Sequence, residues 1–151
     1  MRITTRSAVE GDLPVLLLLY AELHPDDPAL PLEVALDNWR AIESHAGRTV
    51  LVAESGGVVV GTADCSTLAN LTRGGRPFML VENVVVTAAF RRAGVGSALF
   101  DAVIGLAREA GCYKIQLLSR AARQGAHAFY ESLGFRTVAQ GYRLYLDKSL
   151  G

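Results

Sequence analysis

The chain has 151 residues, which is long enough to bury a core without metals or disulfides. Its residues are 50% hydrophobic and 20% charged, a composition typical of a globular protein. Its 15 basic and 15 acidic residues balance, so the composition excludes the broad positive field of a nucleic-acid-binding surface. Cys65 and Cys112 lie far apart without the spacing of metal ligands, and we expect both to be reduced, buried thiols.

Apolar periodicity and turn residues predict the element order β-α-α-β-β-β-α-β-α-β-β in one domain, 1–151. A helix connects the sixth and eighth elements as in a βαβ unit, so we expect a mostly antiparallel α+β sheet with one parallel strand pair near its centre. The predicted strands span 2–6, 49–54, 58–66, 79–86, 113–118, 136–140 and 142–146, and the predicted helices span 12–23, 31–45, 94–110 and 124–133.

Glycines mark the turns between these elements. Gly56-Gly57 predicts a hairpin between the second and third strands, and Gly111 and Gly134 are placed to end the last two helices. The apolar segment 13–21 is too short to span a bilayer and contains Pro14 in the first turn of a helix. We interpret it as a core-facing helix of a cytoplasmic protein that has no membrane partner.

The segment 91–97 is the most specific local signal. It follows the apolar strand 79–86, and its glycines predict a turn that opens a helix. Such a turn points free backbone N–H groups and the positive end of a helix dipole at one place, which suits a phosphate or pyrophosphate. A glycine pair that only eases a tight connection would give the same local pattern.

Two common phosphate-binding motifs do not fit this turn. A Walker A loop is excluded because Gly96 is followed by Ser97 and Ala98, not by a lysine and a hydroxyl residue. A dinucleotide fingerprint is excluded because Leu99 stands where a third glycine or alanine is required. The pattern that remains is Arg/Gln-x-x-Gly-x-Gly/Ala.

Four segments of the chain together resemble one protein family. They are Ile3-x-x-Arg6-x-Ala8-x-x-x-Asp12, Glu82-Asn83-Val84-Val85-Val86, Arg91-x-x-Gly94-x-Gly96 and Ala128-Phe129-Tyr130-Glu131-Ser132-Leu133-Gly134-Phe135. On these segments the chain resembles the GNAT superfamily of acyl-CoA-dependent N-acyltransferases over nearly its whole length. The resemblance implies a three-layer α+β fold in which the central parallel strand pair is splayed.

The same resemblance implies acetyl-CoA as cosubstrate, without a metal. The pyrophosphate would lie on the N–H groups of 92–97, and the pantetheine arm would pair with the strand backbone like an added strand. The implied cofactor-binding residues are Val84, Val85, Val86, Arg91, Arg92, Ala93, Gly94, Val95, Gly96, Ser97 and Arg123. Arg123 stands where many relatives carry an asparagine, so it would contact a CoA phosphate or the local contacts would differ.

The resemblance also implies three catalytic positions. Tyr130 would protonate the leaving thiolate, and the backbone N–H of Val84 would stabilise the oxyanion. Glu82 is the one carboxylate in an apolar strand, which makes it the candidate base, acting directly or through water. Each side chain also has a structural interpretation: Tyr130 as a core aromatic residue and Glu82 as the partner of a nearby arginine.

We therefore expect an N-acetyltransferase that acts through a direct ternary complex. The alternative is a non-catalytic acyl-CoA-binding module that retains the turn without the chemistry. The acceptor is a primary amine of a small molecule or a peptide, and its identity stays open because variable loops decide it. A homodimer formed through the closing strands is a further possibility.

Overall fold

The computed structural model describes residues 2–119 and 124–151, except for the side chain of Gln124. The chain forms two compact units, Met1–Leu117 and Leu118–Gly151. The first unit contains β1 (Ile3–Ser7), α1 (Leu13–Leu23), α2 (Leu32–Ser44), β2 (Arg48–Ser55), β3 (Val58–Leu68), β4 (Phe78–Val86), α3 (Val95–Glu109) and β5 (Ile115–Leu117). The second unit contains α4 (Gln124–Ser132).

The sheet has five strands in the order β1-β2-β3-β4-β5. The first four pair antiparallel, and β4 pairs parallel with β5 through α3, as the βαβ connection predicts. The mixed α+β fold class and the hairpin at Gly56-Gly57 are confirmed. The parallel pair, however, lies at the edge of this sheet because β5 is its last strand.

The two predicted closing strands are not formed, since no residue of 136–146 lies in a strand. The alternation of Tyr142, Leu144 and Leu146 suggested a half-buried strand, yet all three side chains are exposed. Their neighbourhood makes short-range contacts instead, such as the Tyr142 hydroxyl donating to Gln140 at 3.1 Å. Alternation indicates a strand only where a partner supplies the backbone hydrogen bonds and covers one face.

Helix α3 covers one face of the sheet because its apolar residues repeat every four positions. Val95, Leu99 and Val103 are almost completely buried. They approach β3 closely at Gly61, where a Cβ would lie 2.9 Å from a methyl carbon of Val95. The opposite face carries α1, whose buried leucines join a cluster with α2, β2, β3 and β4. The buried members of this cluster are Leu13, Leu16, Leu19, Trp39, Val50, Val52, Val59 and Val85.

A charged network joins the first strand to the start of α1. The guanidinium of Arg6 binds the carboxylate of Asp12 through two hydrogen bonds of 2.7 and 2.9 Å, and it lies 2.7 Å from Glu54. The N–H of Val9 donates to the same Asp12 carboxylate at 2.8 Å. The bond with Arg6 is the main reason why the pKa of the buried Asp12 lies below its ordinary value of 3.8.

We expect Asp12→Asn to destabilise the fold by about 1–3 kcal/mol at pH 7, because a charged hydrogen-bonded pair is lost. The loss is limited because Arg6 stays partly solvated. A carboxyl whose pKa is lowered in the folded state stabilises it above the ordinary pKa and loses that effect as the pH falls through the lowered value. The gap between wild type and variant should therefore close below about pH 4.

Urea unfolding between pH 3 and pH 7 measures this gap. Asp37→Asn is the control, because the pair that Asp37 forms with Arg40 is exposed and 3.5 Å long. A gap that persists unchanged down to pH 3 would show that Asp12 acts through packing and not through its charge.

Candidate cofactor and acceptor site

The turn between β4 and α3 presents backbone N–H groups at the start of a helix. Arg92 and Gly94 both have left-handed backbone angles, with φ values of 63° and 85°, and Gly94 is the N-cap of α3. Left-handed residues within a turn bring successive N–H groups together into a concave nest that favours anions. The first N–H groups of α3 have no partner within the helix. The predicted turn before α3 is therefore formed, and its role as an anion site stays a prediction.

Three hydrogen bonds fix this turn to the surrounding elements. Arg91 Nε donates to the carbonyl of Val86 at 3.1 Å, which ties the turn to its own strand. Glu22, in the last turn of α1, accepts from the Thr87 hydroxyl at 2.7 Å and from the Ala88 N–H at 3.0 Å. Sequence reasoning missed Glu22, because an exposed glutamate at a helix end carries no signal of a contact 65 residues away.

Strand β4 contains a β-bulge just before this turn. Asp64 pairs with Glu82, whereas the pairing two residues back along β3 is Thr62 with Val85, so β4 carries one extra residue. The extra residue is accommodated at Asn83, which has a left-handed φ of 52°. Asparagine adopts this conformation more readily than other non-glycine residues, so Asn83 within a run of valines was the signal that sequence reasoning missed.

The bulge coincides with the end of pairing between β4 and β5. Residues Met79–Val81 of β4 pair with Ile115–Leu117, and within the first unit the rest of β4 pairs with β3 alone. The backbone of Val84 to Val86 consequently forms an unpaired edge within the first unit, and a short 3-10 helix, Ala88–Phe90, connects it to the turn before α3. The predicted backbone positions therefore lie on the strand edge that precedes the turn, and the bond from Arg91 to the Val86 carbonyl connects the two. We call this edge and the turn together the amide strip.

The α1 face of the sheet carries polar groups beside this strip. Glu82 lies directly across from Asp64, which is buried and held by Arg48 through bonds of 2.6 and 3.0 Å. Among residues 2–119 and 124–151, Glu82 forms no ion pair, so Asp64 and not Glu82 takes the neighbouring arginine. Tyr20 of α1 covers this region; burial and the charge of Asp64 raise the pKa of its phenol.

The second unit contains the predicted tyrosine. The Tyr130 ring lies 5.5 Å from Phe129 and 5.9 Å from Phe135, measured between ring centroids. Gly134 ends α4 as predicted, and the N–H of Phe135 donates to the Tyr130 carbonyl at 3.1 Å. Tyr130 is therefore held in an aromatic cluster local to its own unit. Arg123 lies outside the described residues.

Cys65 does not offer a competing nucleophile. Its side chain is buried, and this burial raises the pKa of the thiol to about 12. The thiol is therefore neutral at physiological pH, and only a thiolate is a strong nucleophile.

Known proteins are similar to this chain over most of its length. Residues 15–135 match the Acetyltransferase (GNAT) family. A glucosamine 6-phosphate N-acetyltransferase from Trypanosoma brucei brucei is 35% identical over 139 residues, which are 91% of this chain and 91% of that protein.

Solved structures show the same fold. A candidate acetyltransferase from Agrobacterium tumefaciens str. C58 aligns with a TM-score of 0.90 and 39% identity, covering 94% of this chain and 99% of that one. The aminoglycoside N-acetyltransferase AAC(6′)-Iy, solved with CoA, shares the fold at a TM-score of 0.80 and 21% identity, covering 97% and 95%. The matched family, its relatives and the strand–turn–helix geometry agree: the chain belongs to the GNAT family of N-acetyltransferases.

Proposed function

We propose that this protein transfers the acetyl group of acetyl-CoA to a primary amine through a direct ternary complex. The observation that supports this most is the amide strip, formed by the edge of β4 that β5 leaves unpaired and by the left-handed turn before α3. Glucosamine 6-phosphate is the first acceptor to test, because the relative from Trypanosoma brucei brucei, which matches 91% of this chain, is named for acetylating it.

The residues of the strip fit the chemical groups of CoA. The N–H groups of residues 92–97 would hold the diphosphate, since Gly94 adopts its positive φ without strain and no atom lies within 4 Å of where its Cβ would be. The backbone of Val84 to Val86 would pair with the amides of the pantetheine arm. The Val86 carbonyl already accepts from Arg91, so we assign that arginine the role of positioning the turn.

Three groups of the chain would then carry out the transfer. A carboxylate is a weak base for an ammonium ion, so Glu82 would take the proton of the acceptor amine through a water molecule. The bulge at Asn83 sets the direction of the Val84 N–H, which would stabilise the negative charge that develops on the thioester oxygen. Tyr130 would supply a proton to the departing thiolate.

A ligand that binds the folded state raises the melting temperature in proportion to its occupancy. We expect acetyl-CoA to raise the melting temperature of the wild type and Gly94→Ala to abolish this rise. A side chain at φ 85° strains the turn and disturbs the N–H groups. Gly57→Ala is the matched control, since Gly57 has a φ of 80° in the β2–β3 hairpin and equally open surroundings. Both variants should melt somewhat earlier than the wild type, and only Gly94→Ala should lose the acetyl-CoA response.

Equal acetyl-CoA responses in the two alanine variants would show that the turn before α3 does not hold the cosubstrate. The amide strip would then lose its proposed role.

We expect Glu82→Gln and Tyr130→Phe each to lower kcat by about 100-fold or more, the usual contribution of a positioned acid or base. The Kd for acetyl-CoA should change little, because neither side chain is assigned to bind it. Thiol release from acetyl-CoA in the presence of an amine panel measures the rate. Glu43→Gln and Tyr142→Phe remove the same groups from exposed positions and serve as controls.

If either variant keeps a kcat within three-fold of wild type, the role given to that residue is wrong. A wild-type protein that binds acetyl-CoA and acetylates no amine in the panel would favour the alternative, a non-catalytic acyl-CoA-binding module.

A further inference from the structure

Three positive side chains converge on one aromatic ring at the other end of β4. The guanidinium carbons of Arg73 and Arg76 lie 5.9 and 5.8 Å from the centre of the Tyr113 ring. The ammonium of Lys114 lies 5.4 Å from the same ring centre and 5.4 Å from that of Phe78. We call this group of three cations and two aromatic rings the basic cluster.

The loop between β3 and β4 is shaped to present these arginines. Arg73 has a left-handed φ of 54°, which is unfavourable for a non-glycine residue and persists only when its surroundings enforce it. Asn70 and Thr72 bind each other's side chains at 3.0 and 3.2 Å, and Arg76 Nε donates to the Arg73 carbonyl at 3.4 Å. These hydrogen bonds within the loop stabilise the conformation that presents the arginines.

The charges of the basic cluster are not neutralised by the protein. The chain pairs Arg6 and Arg48 with carboxylates, whereas in the described ranges 2–119 and 124–151 no carboxylate lies within ion-pair distance of the three clustered cations. Stacking on an aromatic ring offsets part of their mutual repulsion. An anion bound between the three cations would offset the remaining repulsion. Exposed guanidinium groups donate paired hydrogen bonds to phosphate oxygens.

Phe78 and Lys114 of the basic cluster share a face of the sheet with Glu82. Side chains alternate along β4, so Phe78 and Leu80 lie on the same face as Glu82. Lys114 lies beside Phe78, because the next residue pair in the parallel ladder is Met79 with Ile115. From Phe78 to Glu82 the strand rises by four residues, which is about 13 Å. That distance, less the reach of the side chains at both ends, suits a small molecule that carries an amine at one end and an anion at the other.

We propose that Arg73, Arg76 and Lys114 form a subsite for a phosphate group on the acceptor amine. This inference rests on the proposed function, since it assumes that the acceptor amine reaches Glu82. It assigns the substrate class as phosphorylated primary amines, such as amino sugar phosphates. A broad nucleic-acid surface is disfavoured because the chain carries no net charge.

The test compares glucosamine 6-phosphate with glucosamine, which differ only in the phosphate. Calorimetric titration with saturating CoA, which has no acetyl group to donate, measures the affinity of both ligands for the wild type and for the double variant Arg76→Gln/Lys114→Gln. Lys114→Gln alone is a milder second variant. The control double variant Arg40→Gln/Arg108→Gln removes two exposed positive charges elsewhere in the same unit. Initial rates with acetyl-CoA then give kcat/KM for each acceptor.

We expect the wild type to bind glucosamine 6-phosphate more tightly than glucosamine. The cluster variant should weaken binding of the phosphorylated sugar by about 10- to 100-fold, the effect of losing charged hydrogen bonds, and should largely remove the preference for it. The control variant should stay within about two-fold of the wild type, as surface charges do.

Three results would overturn the subsite: a wild type with no preference for the phosphorylated sugar, an equal loss for both ligands in the cluster variant, or a KM that rises for acetyl-CoA instead of the acceptor. The last result would assign the cluster to a phosphate of CoA. A protein that binds the phosphorylated sugar through the cluster and transfers no acetyl group would retain the subsite and disprove the proposed function. Acetyl transfer to both sugars with equal kcat/KM values is a form of the first result: it would disprove the subsite and retain the proposed function.

Discussion

The extra residue in β4 is the constraint on which the rest of the proposed site depends. A bulge interrupts the hydrogen-bond ladder and increases the local twist of a strand. Here it lies at Asn83, immediately after the short stretch in which β4 pairs with β5. Within the first unit, the strand therefore continues beyond its parallel partner with an unpaired backbone edge on that side. In the proposed site a linear cosubstrate would extend this edge as an added strand does.

The two faces of the sheet divide the structural and chemical roles. The α3 face is apolar and closely packed, with Gly61 allowing Val95 to approach β3, and this packing fixes where the helix begins. Because the turn at 91–97 leads into the start of α3, its position follows from that contact. The α1 face carries the polar groups, including the buried Asp64 held by Arg48 and the exposed Glu82 beside it. Glu22 links this α1 side to the turn through Thr87.

Local sequence signals predicted the parts of the fold that local chemistry decides. The glycine turn, the β2–β3 hairpin and the end of α4 follow from residues that adopt left-handed conformations, and each lies where it was predicted. The prediction of two closing strands was wrong, because alternating apolar residues at 142–146 do not indicate a strand that pairs with them. The basic cluster could not be predicted, because the β4–β5 pairing alone brings Lys114 next to a loop some 40 positions earlier in the chain. The roles of Glu82, Tyr130 and the residues of the turn remain predictions.

The most direct measurement of the central claim is a titration of the ¹⁵N-labelled protein with acetyl-CoA, followed through its backbone amide resonances. We predict that the largest shifts fall on the amides of residues 92–97 and on Val84 to Val86, and that inorganic pyrophosphate at higher concentration moves only the first group. Saturation by acetyl-CoA with these amides unmoved, and with the shifts located elsewhere in the chain, would contradict it.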